Sequence, residues 1–400
     1  MSGAWQSLNG GMAMKILHVV NRYYPFIGGT ENYVYNLSRE LVKLGHEVTV
    51  VCAAEPKRNS ETIEGVRVVR LNYAFKIANT NVAFFLPFEI MRTDFDVLHT
   101  YIPHPWSADW AAWIACIKNK PLVLTYNNDI PEKGKYQILT WIYNRLFLRI
   151  ILRIARIIIC TQEKYAEYSK LLRQIKERDK IIAIPCGVDV EQFFPIKRNM
   201  TQTKRIFFLS VLDEFHRYKG LDYLLEAFSQ VLNKRKDVSL FIGGEGVLKE
   251  EYENKARKRG ISDYVVFLGC IPASDLNRYF NECDIFVLPS ISSDQEGFGI
   301  VLLEAMACAK PVITTSIVGP AEQIRQWDAG LIAEPRNVDA LAAALMQLLG
   351  DHNRAQAMGQ RARQLAEQKY GWRSVAQQME TLYTEVLREY SVKFSSLKQK

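Results

Sequence analysis

The stretch best equipped for chemistry is EGFGIVLLE, residues 296–304. It sets two carboxylates, Glu296 and Glu304, on either side of Gly297, Phe298, Gly299 and Ile300. From Gly299 onward, GIVLLEAMACA is apolar on every side, the pattern of a helix buried all round. A carboxylate inside such a helix costs several kcal/mol unless donors meet it, so Glu304 calls for hydroxyl or amide partners. The two glycines let the backbone run close to a ligand where the helix N-terminus offers unpaired N–H groups and a partial positive charge. That is a natural seat for phosphate. Glu296 closes the loop on the same rim. The arrangement suits a molecule with phosphate in its middle and hydroxyl groups at both ends, such as a nucleoside diphosphate sugar. The plain alternative is that Glu304 caps a neighbouring backbone and Glu296 is a solvated loop residue.

The elements that position this stretch follow from its flanks. From Lys15, short β-branched runs (KILHVV, EVTVVC, VRVVRL, DVLHTY, PLVLTY, RIIIC, KIIAI) alternate with helical stretches such as ENYVYNLSRELVKLG and WSADWAAWIACIK. Continuous apolar strands joined by helices imply a parallel sheet covered on both faces. Periodicity breaks at CGVDVEQFFPIKRNMTQTK. It restarts with RIFFLSV, VSLFIGG, YVVFLG, DIFVLP and PVITT as strands. The fold expected is α/β, two doubly wound Rossmann-like domains whose strand ends face an interdomain cleft. Residues 1–13 read as an extension, 14–198 as the first domain, 199–371 as the second, and 372–400 as a closing helix.

Composition bounds the function. The 400 residues are 48% apolar and 24% charged, which makes the chain globular, and the net charge of +8 favours an anionic partner. Seven scattered cysteines without CxxC spacing argue against a disulfide framework or a zinc site, and a reducing cytoplasm is the simplest home. No run reaches about 18 consecutive apolar residues, so no membrane span is expected. No nucleic-acid reader motif is present.

One basic segment stands apart. YQILTWIYNRLFLRIILRIARIIIC holds four arginines and no acid. On a single helix, Arg145, Arg149 and Arg153 would share a narrow arc, suited to an anionic membrane surface. The alternative is a core-facing helix with a solvated arginine stripe. Two other matches carry less. The DFD at 94–96 imitates a metal-binding motif but leads straight into VLHTY, as a strand-edge turn would. The GGEG at 243–246 lacks full dinucleotide spacing and reads as a phosphate-side loop that includes Gly244.

Taken together, EGFGIVLLE followed by AMACAKPVI, FIGGTENYVYNLSRELVKLGHEVTV, IPCGVDVEQFFP, FLSVLDEFHRYKGLDYLLEAF and FIGGEG resemble the retaining GT-B glycosyltransferases of family four, from Met14 to about Glu389. The resemblance implies that Glu304 hydrogen-bonds a ribose and Glu296 the hydroxyls of the transferred sugar. The backbone of Gly297, Phe298, Gly299 and Ile300 would donate N–H groups. It also implies that Lys219 pairs with the diphosphate, that Gly28 and Gly29 admit the first domain's backbone to the phosphates, and that the closing helix packs back on the first domain.

The chain departs from the family pattern twice. Asn127 stands where a histidine is common, and it can donate a hydrogen bond without carrying charge. His104 on a neighbouring strand end could take part of that role. Val211 replaces a usual arginine, for which Arg217 could substitute. The expected activity is transfer of a hexose from a UDP- or GDP-linked sugar to an acceptor hydroxyl with retention, without a metal or other cofactor. The candidate catalytic residues are Glu296, Lys219, Asn127 and His104. A lipid-linked or glycan acceptor is expected, on the inner face of the cell membrane. The rivals are a soluble sugar acceptor and a non-catalytic sugar-nucleotide-binding subunit.

Overall fold

The computed structural model describes residues 13–26, 28–130, 132, 136–162, 165–197, 203–293, 295–296 and 298–398. The expected N-terminal extension, residue 13 apart, and Gly297 lie outside the described residues. The chain divides into two units. One comprises residues 1–185 together with 375–400, the other residues 186–374.

The strands of the first unit are β1 (Lys15–Val19), β2 (Glu47–Ala53), β3 (Glu61–Ile63), β4 (Val66–Leu71), β5 (Phe75–Ile77), β6 (Thr80–Val82), β7 (Val97–Ile102), β8 (Leu122–Tyr126), β9 (Ile157–Cys160) and β10 (Ile181–Ala183). Its sheet runs β10-β9-β8-β7-β1-β2-β4-β3, and β5 and β6 form a separate hairpin. Pairing is parallel except between β3 and β4. Strands β7 and β8 are buried along their whole length, as expected of central strands covered on both faces. The helices are α1 (Gly29–Lys43), α2 (Leu86–Arg92), α3 (Ser107–Ile117), α4 (Gln137–Arg145), α5 (Phe147–Ile154) and α6 (Tyr165–Tyr168).

The second unit is an all-parallel sheet of β11 (Lys204–Leu209), β12 (Val238–Gly243), β13 (Val265–Gly269), β14 (Ile285–Leu288), β15 (Val312–Thr315) and β16 (Gly330–Ala333). Its order, β13-β12-β11-β14-β15-β16, reverses direction between β11 and β14. Such a reversal leaves a crevice at the carboxyl ends of the two strands. Its helices are α7 (Leu221–Leu232), α8 (Lys249–Lys258), α9 (Ala273–Glu282), α10 (Ile300–Ala307), α11 (Ala321–Gln326), α12 (Val338–Gly350) and α13 (His352–Leu365), and α14 (Trp372–Lys398) follows. Helix α7 shows why these segments fold so. Leu221, Leu224, Leu225, Phe228, Val231 and Leu232 repeat at three- and four-residue intervals and bury one face against β11 and β12 neighbours such as Phe208 and Leu240. Asn337 caps α12 by accepting the Ala340 N–H at 2.9 Å.

Two expectations change. The domain boundary, read near residue 198, falls at Pro185 and Cys186. The irregular segment after it is packed rather than free: Asn281 Nδ2 donates to the Phe194 carbonyl at 2.9 Å, and Arg363 donates to that of Phe193 at 2.7 Å. Loss of periodicity marks irregular backbone, not absence of contacts. The basic helix, read as one, is two, because the backbone turns at Leu146 (φ −106°, ψ −68°). Arg145 therefore ends α4, while Arg149 and Arg153 belong to α5. Helix α14 begins in the second unit and from Val375 belongs to the first. There Tyr383 meets His99 Nδ1 at 2.6 Å, Glu380 meets His46 at 3.1 Å, and Glu389 pairs with Arg156.

Within the second unit the two ends of the segment meet. Val188 N–H donates to the Tyr370 carbonyl at 2.7 Å, and Trp372 N–H returns a bond to the Val188 carbonyl at 3.3 Å. Gly187 is required there, because a Cβ would lie 2.4 Å from the Trp372 ring.

Candidate functional site

The residues singled out in the second unit gather around the carboxyl ends of β11 and β14. The turn 214–219 delivers Lys219, and Gly220 then starts α7 at φ +80°. No other residue fits easily at 220, where a Cβ would lie 2.1 Å from the Pro289 carbonyl oxygen. That close approach clamps the Lys219 turn onto the loop after β14. Lys219 Nζ donates to both carboxylate oxygens of Glu296, at 3.0 and 2.9 Å. Ser290, fully buried two residues past β14, donates its hydroxyl to Glu296 Oε2. Glu296 is 2% exposed and is thus a desolvated carboxylate with three hydrogen bonds. Burial alone would lower the Lys219 pKa. The Glu296 charge and the Tyr218 hydroxyl beside it outweigh burial and hold it above the ordinary lysine value.

Helix α10 starts at Ile300 behind Gly299, whose φ of +86° and tight fit against Val318 and Leu288 exclude a side chain. The first amides of a helix have no intrahelical acceptors, so this end offers donors and partial positive charge. Phe298 contributes backbone only, because its ring is buried edge-on against Tyr370 at 5.9 Å. Glu304 sits one turn into α10. Its carboxyl makes no side-chain hydrogen bond to a described residue, and burial pushes its pKa up to about 7. Glu304 keeps part of its surface exposed, and its largely apolar surroundings disfavour the charged form. On the other side of β11, Gly244 adopts φ +129° directly over the Ser210 carbonyl, from which a Cβ would stand 1.8 Å away. No side chain can therefore block that corner.

Arg217, expected to replace the family's arginine, is engaged elsewhere. It is bidentate to Glu251 and again to Glu214, and these carboxylates hold its pKa above the usual value. The same pairing, with Lys255, draws Glu251 down to about 2. Val211 is half exposed and brings no charge. Within the described residues of this corner, Lys219 is the cation beside the α10 terminus.

In the first unit, the sheet order reverses between β1 and β7. Gly28 precedes α1 with extended backbone (φ −167°), so no positive φ demands glycine. A Cβ there would meet Glu31 Oε2 at 2.2 Å, the movable end of a side chain. Gly29 has open surroundings. Asn127, just past β8, donates Nδ2–H to Thr30 Oγ1 at 3.2 Å, bringing it onto the α1 N-terminus. His104 follows β7. Burial and the neighbouring Arg22 guanidinium lower its pKa to about 4, so it is neutral at pH 7, and its Nδ1 has no partner among the described residues.

Sequence reading missed two participants. Ser290 was legible only as the small residue after Pro289 at a strand end. Arg22, buried 3.4 Å from Glu31 and 4.1 Å over the Phe26 ring, gave no motif signal.

The metal motif dissolves. Asp96 accepts the Lys15 N–H at 2.8 Å and Asp94 pairs with Lys15 Nζ at 2.7 Å, the bonds of a strand-edge turn. Among the described residues no cluster of three His, Cys, Asp or Glu side chains could hold a metal ion.

Comparison with known proteins places these features. Residues 27–192 match the family model described as Glycosyltransferase Family 4, and residues 191–365 match Glycosyl transferases group 1. The chain is 28% identical over 386 residues to O-antigen chain mannosyltransferase C of Escherichia coli, covering 94% of this chain and 100% of that one. Sucrose-phosphate synthase of Thermosynechococcus elongatus superposes with a TM-score of 0.70 at 21% identity, over 94% of this chain and 100% of the other. The Anabaena protein HepE in complex with UDP gives 0.70 at 18%, over 93% and 100%.

Proposed function

Because the chain belongs to the family-four, group 1 glycosyltransferases of GT-B fold, we propose that it moves a hexose from a nucleoside diphosphate sugar to an acceptor hydroxyl with retention at the anomeric carbon. The observation that carries the proposal is the Lys219–Glu296 pair beside the open N-terminus of α10, at the β11–β14 reversal.

The chemistry follows from charge. A nucleoside diphosphate is already a good leaving group, so the site must stabilise the negative charge that develops on it rather than supply a strong acid. Lys219 and the first amides of α10 are fixed donors for that charge. Glu304, partly buried and without a described side-chain partner, accepts the ribose hydroxyls. Glu296, oriented by Ser290, accepts hydroxyls of the transferred sugar while keeping Lys219 charged. The acceptor oxygen attacks the face that the diphosphate leaves, and its proton passes to a phosphate oxygen, so the anomeric configuration is kept without an enzyme nucleophile. No metal or other cofactor takes part.

The acceptor we favour is a membrane lipid-linked glycan used in polysaccharide or glycolipid synthesis, met on the cytoplasmic face of the cell membrane. The arginines of α4 and α5 support this. Arg145 and Arg153 are exposed, whereas Arg149 directs part of its charge to Gln174 Oε1 at 2.7 Å. No described helix is long and apolar enough to cross a membrane. The test is calorimetry of the protein with UDP and GDP hexoses, GDP-mannose first in view of the E. coli relative. The best donor is then incubated with membrane lipid extract and the anomeric proton of the product read by NMR. An α-linked product from an α-linked donor is expected. An inverted product, or tight donor binding with no transfer to lipid or soluble sugars, would overturn the proposal.

A further inference from the structure

A cavity of about 830 Å³, within the size range of small-molecule sites, opens on the edge of the second unit's sheet opposite the proposed donor corner. Its walls come from the amino ends of the strands: Lys204 starts β11, Ile285 starts β14, and Pro311 precedes β15. The donor corner lies at the carboxyl ends of β11 and β14. The six residues of β11, at about 3.3 Å each, set the two edges roughly 17 Å apart. Whatever occupies the cavity is therefore not the reacting sugar. Helix α10 bridges the two, its first amides at the donor corner and its cap residue Cys308 in the cavity wall.

The lining is chemically selective. Lys197, Lys204, Lys310 and Arg363 bring four cations against one acid, Asp284, among the described residues. Two of the cations serve the fold: Lys310 donates to the Asn281 carbonyl at 2.7 Å, and Arg363 donates to the Phe193 and Ala307 carbonyls at 2.7 and 2.6 Å. Asp284 is likewise committed, accepting the Arg205 N–H at 2.8 Å. Lys204 Nζ stands 3.6 Å from it, beyond hydrogen-bond length, and exposed Lys197 has no ion-pair partner among the described residues. These two ammonium groups have donors left over for an anion. Helix α13 adds Gln356, Gln360 and Gln364, recurring every four residues along one face. All three are exposed and make no side-chain hydrogen bond to a described residue. An amide donates and accepts at once, as a hydroxyl does. Ile196, Ile285, Pro311 and Leu349 give apolar contact for C–H groups, whereas no phenylalanine, tyrosine or tryptophan among the described lining residues offers a surface for a nucleobase.

We propose that this cavity binds a sugar carrying an anionic group, with Lys197 and Lys204 holding the phosphate or carboxylate and the glutamine row holding the hydroxyls. Inorganic phosphate alone would meet the lysines and leave the amides and the apolar wall unused. A neutral sugar would forgo the charge-assisted bonds, which are about twice as strong as neutral ones. A free sugar phosphate and an acidic residue of a glycan chain share this chemistry. The site is separate from the donor corner and does not depend on the glycosyl-transfer reading.

The experiment uses the full chain with excess UDP or GDP present to fill the donor corner. Calorimetry then compares glucose 6-phosphate, glucose, inorganic phosphate and a hyaluronan tetrasaccharide. Glucose 6-phosphate should bind one further site at least tenfold more tightly than glucose or phosphate, and less tightly in half-molar salt. Gln356→Ala/Gln360→Ala, an exposed change that favours the helix, should weaken glucose 6-phosphate at least fivefold and leave phosphate binding unchanged. Lys197→Gln/Lys204→Gln should weaken both. Urea unfolding of each variant checks the fold. Tighter binding of the tetrasaccharide than of glucose 6-phosphate would assign the cavity to a glycan chain, and the reverse order to a free sugar phosphate. Binding of neither anionic sugar, competition of glucose 6-phosphate with the nucleotide, affinity no greater than that of phosphate, or unchanged binding by either variant would overturn the proposal. Transfer is assayed separately, so each of these outcomes leaves glycosyl transfer standing.

Discussion

Replacing Glu304 by glutamine should stabilise the free protein at neutral pH and weaken its grip on the donor, and both effects can be sized from one observation. Burial raises the Glu304 carboxyl from the ordinary 4.5 to about 7. The folded chain therefore holds a proton that the unfolded chain releases between those values. Stability falls wherever the folded state binds more protons, so it declines as pH rises through this window. The gap between 4.5 and about 7, at 1.36 kcal/mol per pH unit, amounts to roughly 3 kcal/mol. The glutamine amide cannot ionise. Urea unfolding of parent and variant should agree near pH 4 and diverge by about 3 kcal/mol, the variant being the more stable, near pH 8. Donor binding should show the opposite trend. Ribose hydroxyls donate to the ionised acid, so the parent should bind more tightly as pH rises and should release a proton on binding, visible by calorimetry in buffers of different ionisation enthalpy. The variant's affinity should be flat with pH and weaker by roughly 1.5–3 kcal/mol at neutral pH. Parallel stability curves for the two proteins would refute the buried-acid argument. Equal donor affinity in a folded variant would remove Glu304 from the site.

Lys219→Met leaves Glu296 buried without its cation and should cost about 3–5 kcal/mol in urea unfolding, much of it restored in the Lys219→Met/Glu296→Gln double variant. Glu296→Ala should lower turnover more than nucleotide affinity, and a defect confined to affinity would contradict its placement at the sugar. Gly220→Ala forces a side chain to φ +80° against Pro289 and should destabilise the second unit by roughly 1–3 kcal/mol. Three buried histidines of the first unit are depressed by burial: His18 to about 3, His104 to about 4, aided by Arg22, and His99 well below its ordinary value, aided by His18. Their unfolded forms take up protons first, so stability should fall as pH drops below about 6.5, steeply enough to lower the melting temperature between about pH 6 and 5. Activity should survive excess EDTA, and a strict requirement for magnesium or manganese would overturn the metal-free chemistry.

What could be read from the sequence was what depends on local pattern. Uninterrupted apolar strands such as VLHTY and IFVL announced parallel central strands because burial on both faces leaves no alternation. EGFGIVLLE drew attention because a carboxylate in an all-apolar helix is costly until a donor reaches it. What could not be read was set by partners distant in sequence. Arg217 looked like a free cation until Glu251, on another helix, was seen to hold it. Gly220 matters because of Pro289, and Ser290 because of Glu296. The basic segment misled for a related reason. A helical wheel assumes an unbroken helix, and the turn at Leu146 moves Arg145 off the axis shared by Arg149 and Arg153.

The pairing of Val188 with Tyr370 and Trp372 bears on how the chain is made. The second unit is an insertion whose entrance and exit lie side by side, so it is complete once residue 374 has been synthesised. The first unit begins earlier and finishes later. Its sheet waits for the last stretch of chain, which brings Tyr383 to His99 and Glu380 to His46. On the ribosome, the half expected to hold the sugar nucleotide can therefore reach its native state while the other half is still without its closing helix. Residues 186–374 form one compact unit, and their expression alone should yield a folded protein with a cooperative urea transition. A chain cut near residue 375 would strand a polar seam in the first unit and leave the second whole.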